Sequence, residues 1–384
     1  MVAAGLLLGC DALDTDSSAN IPDAEQLHAA RADSVPDASR LIEIRHLVVL
    51  IQSDINQSVA FAHELKRDVE GLLSNPSEES LQLAQQSWQR AYLAFLSFRV
   101  LAYLPITEPQ EWQQQGRDGG RTYGLLDSWP ITGGYIDHVP GYPVSGIVND
   151  LTLDINAETL MAQQGFSSEY DISVGFHALA FLLFGGEQAR NWNDFVVPEK
   201  PSEQSSATSS DALVNDLVGG PADAVDGIAN DESLAPNSDV PVQYHQRRRD
   251  YLITVSHLLV IHQERLQRRW SQDGHYTRAL QASDGVRVVA ALRVAIKALI
   301  QKEVIQHRLD DEEWLLITGR QPQQELNALQ SSVMKLVKLL AEKQPNSPLG
   351  TGLASWNQGS VDTAFNLQAE REKAEQLLKL LQRP

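Results

Sequence analysis

One histidine is set apart by its surroundings. His177 lies within Gly175-Phe176-His177-Ala178-Leu179-Ala180-Phe181-Leu182-Leu183-Phe184-Gly185, an apolar run that should bury it. An imidazole there could ligate a metal ion or move a proton. Its plainer role is a core side chain bonded to a backbone carbonyl. The acids that could converge on it are Asp137, beside His138, and Glu169, Asp171 and Glu187, which flank the run. Their ordinary work is capping and solvation. Trp129 and Tyr135 stand close to Asp137 in sequence and could line a pocket, although a tryptophan is more often a packing anchor. Arg248, the middle of Arg247-Arg248-Arg249, could face an anion, while three adjacent arginines commonly mark a solvated helix start. The chain contains no His-Glu-x-x-His, Gly-x-Ser-x-Gly, phosphate-loop or dinucleotide pattern, which removes several enzyme classes.

Composition narrows the chemistry further. Lys plus Arg number 31 against 50 Asp plus Glu, a formal charge of −19, so phosphate backbones are repelled and nucleic acid is not an expected partner. The single cysteine, Cys10, excludes an internal disulfide and any Cys-rich metal site. It ends Leu6-Leu7-Leu8-Gly9-Cys10, which resembles the close of a bacterial lipoprotein signal. Cys10 is then the lipidation site, and the expected location is periplasmic, anchored to the inner or the outer membrane. Asp11 resembles the inner-membrane retention signal of enteric bacteria.

The elements that must position these residues read as helices. Leu41, Ile44, Leu47, Val48 and Ile51, then Val59, Ala62, Leu65, Val69 and Leu72, recur at helical spacing and predict two helical segments before Asn75. Asn75-Pro76-Ser77-Glu78 predicts an N-cap at Asn75, opening a helix with Trp88, Tyr92 and Phe95 on one face. Residues 105 to about 167 are punctuated by glycine and proline and predict a long ordered connection. A buried helix should start near Ser167 or Ser168 and stop at Gly185-Gly186. The stretch 197–240 carries nine acids against Lys200 alone, contributing −8, and predicts a flexible acidic insertion. Further helices follow at Tyr244–Trp270, Val286–Gln306, Gln324–Lys343 and Val361–Leu381. The fold class is all-α: a signal and tether over 1–39, a helical-bundle domain over 40–196, the insertion, and a second bundle over 241–384.

The His177 run resembles the signature of the imelysin family, a Gly-x-His-x-x-Glu motif running into Phe-Leu-Leu-aromatic-Gly. Ser128-Trp129-Pro130, ending in Tyr135-Ile136-Asp137, resembles that family's second landmark. The Trp88 helix and Arg247-Arg248-Arg249-Asp250-Tyr251-Leu252 resemble further segments in the same order. The resemblance implies two related bundles with a site between them, in a group that includes metallopeptidases and iron-regulated proteins of iron uptake. It implies a ligand site drawn from Gly175, His177, Trp129, Tyr135, Asp137, Arg99 and Arg248, with His177 as the metal residue.

Two departures bear on activity. Ala180 stands where the motif has its glutamate, and a methyl group neither ligates a cation nor takes a proton. Arg99 lies where the family often carries an acid before Tyr-Arg, and no matching acid is present. Asp311, Glu312 and Glu313 resemble an acidic family segment without its continuation. Three readings follow. The first is a non-catalytic, lipid-anchored binding protein associated with iron-transport components. The second is a metal-dependent peptidase with a carboxylate supplied by Asp137 or Glu169. The third is an interaction scaffold that contacts a membrane partner through the acidic insertion.

Overall fold

A computed structural model describes residues 38–115, 119–197, 242–283, 285–306, 322–341 and 366–381. Cys10 with its tether, nearly all of the acidic insertion, and Asp311, Glu312 and Glu313 lie outside the described residues.

The apolar spacing before Asn75 builds one helix, α1 (Ala38–Ser74), and not two segments. Ile51, Ile55, Val59 and Ala62 keep a three- or four-residue step through the middle, with no glycine or proline to interrupt it. The next helix, α2 (Glu78–Leu96), begins later than the Asn75 cap predicts. Asn75 is already used by α1, donating its N–H to the Gly71 carbonyl at 3.0 Å. The cap falls to Ser77, whose hydroxyl accepts from Ser80 N–H while Ser80 Oγ accepts from Ser77 N–H.

The glycine- and proline-rich connection is broken into short helices rather than left without them. These are α3 (Gln110–Gln114), α4 (Gly119–Leu126), α5 (Gly133–Ile136) and α6 (Ala157–Gln163), none longer than eight residues. The buried helix α7 (Phe176–Phe184) starts eight residues after Ser168, because Asp171 draws the N–H groups of Ser167 and Ser168 into a turn. Then come α8 (Val242–Arg269), α9 (His275–Ala282) and α10 (Gly285–Leu299), which continues as a π-helical segment, Ile300–Ile305. The last two helices are α11 (Pro322–Ala341) and α12 (Leu367–Leu381). Among the described residues no strand forms, and the fold is all-α.

Helix α8 lies antiparallel to α1. Gln52 donates to the Trp270 carbonyl, Ser58 to Gln263, and Arg249 to the Leu73 carbonyl, so the partners run in opposite order along the two helices. Helix α2 packs on α1 from another side, and α7 is inserted between α2 and α8. The centre is aromatic: Trp88 stacks on Tyr92, and Phe176 meets both edge-on. The indole N–H of Trp88 donates to the Phe176 carbonyl at 2.9 Å, fixing the first turn of α7. Of the later elements, α10 packs on the Arg99–Tyr103 3₁₀ turn, α11 on α1 and α2, and α12 on the π segment.

Candidate functional site

The site is assembled by a glycine. Gly175 takes φ +92° at the cap of α7, a conformation that a side chain rarely adopts. A β-carbon there would lie 2.6 Å from the carbonyl oxygens of both Leu125 and Leu126. The missing side chain lets the start of α7 rest against the end of α4. His177 stands two residues after Gly175 and Asp127 directly after Leu126, and His177 Nδ1 lies 3.3 Å from Asp127 Oδ1. Gly175 therefore brings the pair together through its backbone.

His177 is fully buried. Its ring rests on Trp129, with centroids 5.0 Å apart, and meets Tyr92 edge-on at 5.6 Å. Tyr92 donates its hydroxyl to Asp127 Oδ1 at 3.3 Å. On its other oxygen Asp127 faces Arg99 Nε at 3.4 Å, and the same nitrogen donates to Glu303 Oε1 at 2.9 Å. Tyr103 adds its hydroxyl to that Glu303 oxygen at 2.5 Å. Arg99 is roofed by the rings of Phe95, Tyr103 and Tyr123, each 5.6–5.9 Å from the guanidinium carbon. The result is a continuous line, His177, Asp127, Arg99 and Glu303 buried and Tyr103 half-buried, drawn from α7, the end of α4, the 3₁₀ turn and the π segment. Two carboxylates share one guanidinium, and the imidazole of His177 closes the line on the Asp127 side.

Asp127 and Glu303 were not legible as site residues. Asp127 looks like an ordinary acid at a helix end, and Glu303 like one polar residue among Ile300, Val304 and Ile305. That Glu303 is the one acid in the helical stretch Val286–Gln306 was the signal available for it. It sits in a π-helical segment, a distortion often found where a side chain must be aimed at a site.

The remaining expected residues form a second cluster. Asp137 is fully buried and takes Arg248 Nε at 2.5 Å on Oδ2 and Arg248 Nη2 at 3.2 Å on Oδ1. Arg190 lies 3.2 Å from Oδ2, and both the backbone N–H and Nδ1 of His138 approach Oδ1 within 3.0 Å. Burial alone would raise the Asp137 pKa. The charge of Arg190, the His138 hydrogen bond and Arg248 together overcome it and hold the carboxyl well below the usual range. Arg248 is not a solvated helix start, and neither are its neighbours. Arg247 donates to the carbonyls of Ile147, Val148, Asp150 and Leu153, and Arg249 to those of Phe195 and Leu73. Arg247 and Arg248 fasten the connection to α8, and Arg249 fastens α8 to the end of α1 and to Phe195. Tyr135 donates to the Gln163 carbonyl at 2.7 Å, and burial followed by the charge of Asp171 pushes its pKa up to about 12.

Of the expected site residues, Trp129, Arg99 and His177 thus come together, Asp137 and Arg248 form the second cluster, and Tyr135 braces the connection. Glu169 and Glu187 are exposed, while Asp171 is spent on its turn. Ala180 is buried. Among the described residues no three His, Cys, Asp or Glu side chains gather as a metal-ligand set. Among the described residues no third donor of that kind joins the His177–Asp127 pair, and Arg99 occupies the space between its carboxylate and the next one. Among the described residues the donor set does not fit a resident metal ion.

The family model described as imelysin matches residues 51–358, most of the chain. Among solved structures, an imelysin-like protein from Psychrobacter arcticum 273-4 shares the fold. Its TM-score is 0.56 at 12% sequence identity, over 91% of this chain and 94% of that one. No curated protein matches the chain significantly.

Proposed function

The chain belongs to the imelysin family, and from that premise we propose that it is a binding protein and not a peptidase, lipid-anchored in the periplasm through Cys10 and associated with iron uptake. Its ligand site is the neighbourhood of His177. The observation that carries this reading is the state of the carboxylates. Position 180 is alanine, and the acid that does stand beside His177, Asp127, is committed to Arg99, which in turn holds Glu303. A hydrolytic metal needs about three protein ligands and an open position. Here a cation would have to displace a buried guanidinium to gain them.

The association with iron uptake and the lipid anchor rest on family resemblance and on the Leu7-Leu8-Gly9-Cys10 sequence. One observation favours the second reading, a metal-dependent peptidase: a carboxylate other than the motif glutamate does face the imidazole, and it is Asp127. Two assays decide between them. Protein purified without chelator is analysed for bound metal and incubated with a denatured polypeptide, with and without added zinc. The expected outcome is no metal-dependent cleavage. Cleavage that zinc restores and His177→Ala abolishes would establish the peptidase.

A further inference from the structure

A concavity lies beside Tyr123, one of the rings over Arg99. It measures about 450 Å³, the size of small-molecule sites. Its lining includes an aliphatic ledge of Leu101, Ala102, Leu104 and Ile106 and the aromatic residues Tyr123 and Tyr276. Among the described lining residues one side chain is charged, Glu108.

That carboxylate is held in place. Gly119 N–H, at the start of α4, is 2.8 Å from each of its oxygens, and Tyr276 donates its hydroxyl to Oε1. The approach is close enough that a β-carbon on Gly119 would stand 2.5 Å from Glu108 Oε1 and collide with the Tyr276 hydroxyl. Tyr276 is itself steadied from behind by Arg269, which also reaches Thr122 at 3.1 Å and lies 4.9 Å over the Trp112 ring. Arg269 does not line the concavity. Among its described contacts Oε2 receives only the shared Gly119 N–H, while a carboxylate oxygen can accept more.

We propose that this cleft binds a small organic cation, an amidine, guanidinium or primary ammonium on an apolar or aromatic body. The charged head meets Glu108, and the body lies between the aliphatic ledge and the tyrosine rings. Aromatic faces beside a fixed carboxylate are the surroundings that stabilise a desolvated nitrogen cation. A carboxylate or phosphate ligand would meet Glu108 with like charge. The site contains neither His177 nor Asp127, so its occupancy does not depend on how the metal and proteolysis assays resolve.

Calorimetric titration of the full chain with benzamidine, and with the isosteric but uncharged benzamide, tests this. Benzamidine should bind and benzamide should bind at least about tenfold more weakly, the loss expected for one charge-assisted hydrogen bond. Glu108→Gln, which keeps the size and the Gly119 contact, should weaken benzamidine by about the same factor. Ala102→Phe, which fills the ledge without touching the carboxylate, should block both compounds and serves if the glutamine variant fails to fold. Arginine methyl ester against a tripeptide with central arginine distinguishes a free cation from a polypeptide side chain. Absence of binding by any of the cations, equal affinity for benzamidine and benzamide, or benzamidine affinity that neither variant changes would overturn the proposal.

Discussion

At Gly175 a single hydrogen in place of a side chain decides whether two ionisable groups meet. Replacing it with alanine forces a β-carbon onto the Leu125 and Leu126 carbonyls from a backbone conformation already unfavourable for alanine. Gly175→Ala should cost about 3 kcal/mol or more in unfolding free energy, measurable by denaturant titration. Arg99 is the other decisive residue. Arg99→Met removes the shared cation and leaves Asp127 and Glu303 buried as like charges, a loss of about 3–5 kcal/mol. Adding Glu303→Gln to that variant should recover part of the loss, since one uncompensated charge is then removed. A double-mutant cycle with no coupling would refute the shared-guanidinium arrangement. Sequence pointed to His177, Trp129 and Arg99 because motif and order marked them. It missed Asp127 and Glu303 because an acid reveals its partner only through packing between distant elements.

Among elements, α8 carries the most varied load. Its first turns fasten the connection through Arg247 and Arg248 and hold Phe195 through Arg249, its middle covers α1, and its end presents Arg269 behind Tyr276. Its inward face also holds His262, which is 2% exposed and whose pKa is pulled from 6.5 to about 4 by burial and then by Arg265. The unfolded chain therefore takes up this proton at a higher pH than the folded one. Stability should fall as pH drops from about 6.5 to 4, by up to about 3 kcal/mol, and His262→Leu should flatten that slope. Asp137 acts in a different window. Its folded pKa is depressed, so its stabilisation is present above about pH 4 and declines only as pH falls further. Melting temperatures across pH 7 to 3 for wild type, His262→Leu and Asp137→Asn separate the two. Helical periodicity made most of α8 readable in advance. The continuity of α1 and the late start of α7 were less readable, since the first depended on an unbroken apolar phase and the second on one Asp171 turn competing with helix.

Over the whole molecule, the all-α character followed from period and from turn residues, and the family from four ordered segments. Tertiary arrangement did not follow. That α8 would lie along α1, with about 200 residues between the contacting positions, required side chains such as Ser58 and Gln263 to find each other, and no local pattern encodes that. The same long-range pairing puts the later helices into one continuous hydrophobic core with the earlier ones.

The contacts of Arg248 and Arg249 with the carbonyls of Asp194 and Phe195 tie the exit of the chain from its first half to its re-entry at α8. Covalent continuity across that interval is then dispensable. Polypeptides 1–197 and 242–384, coexpressed as severed halves, should copurify and melt in one transition.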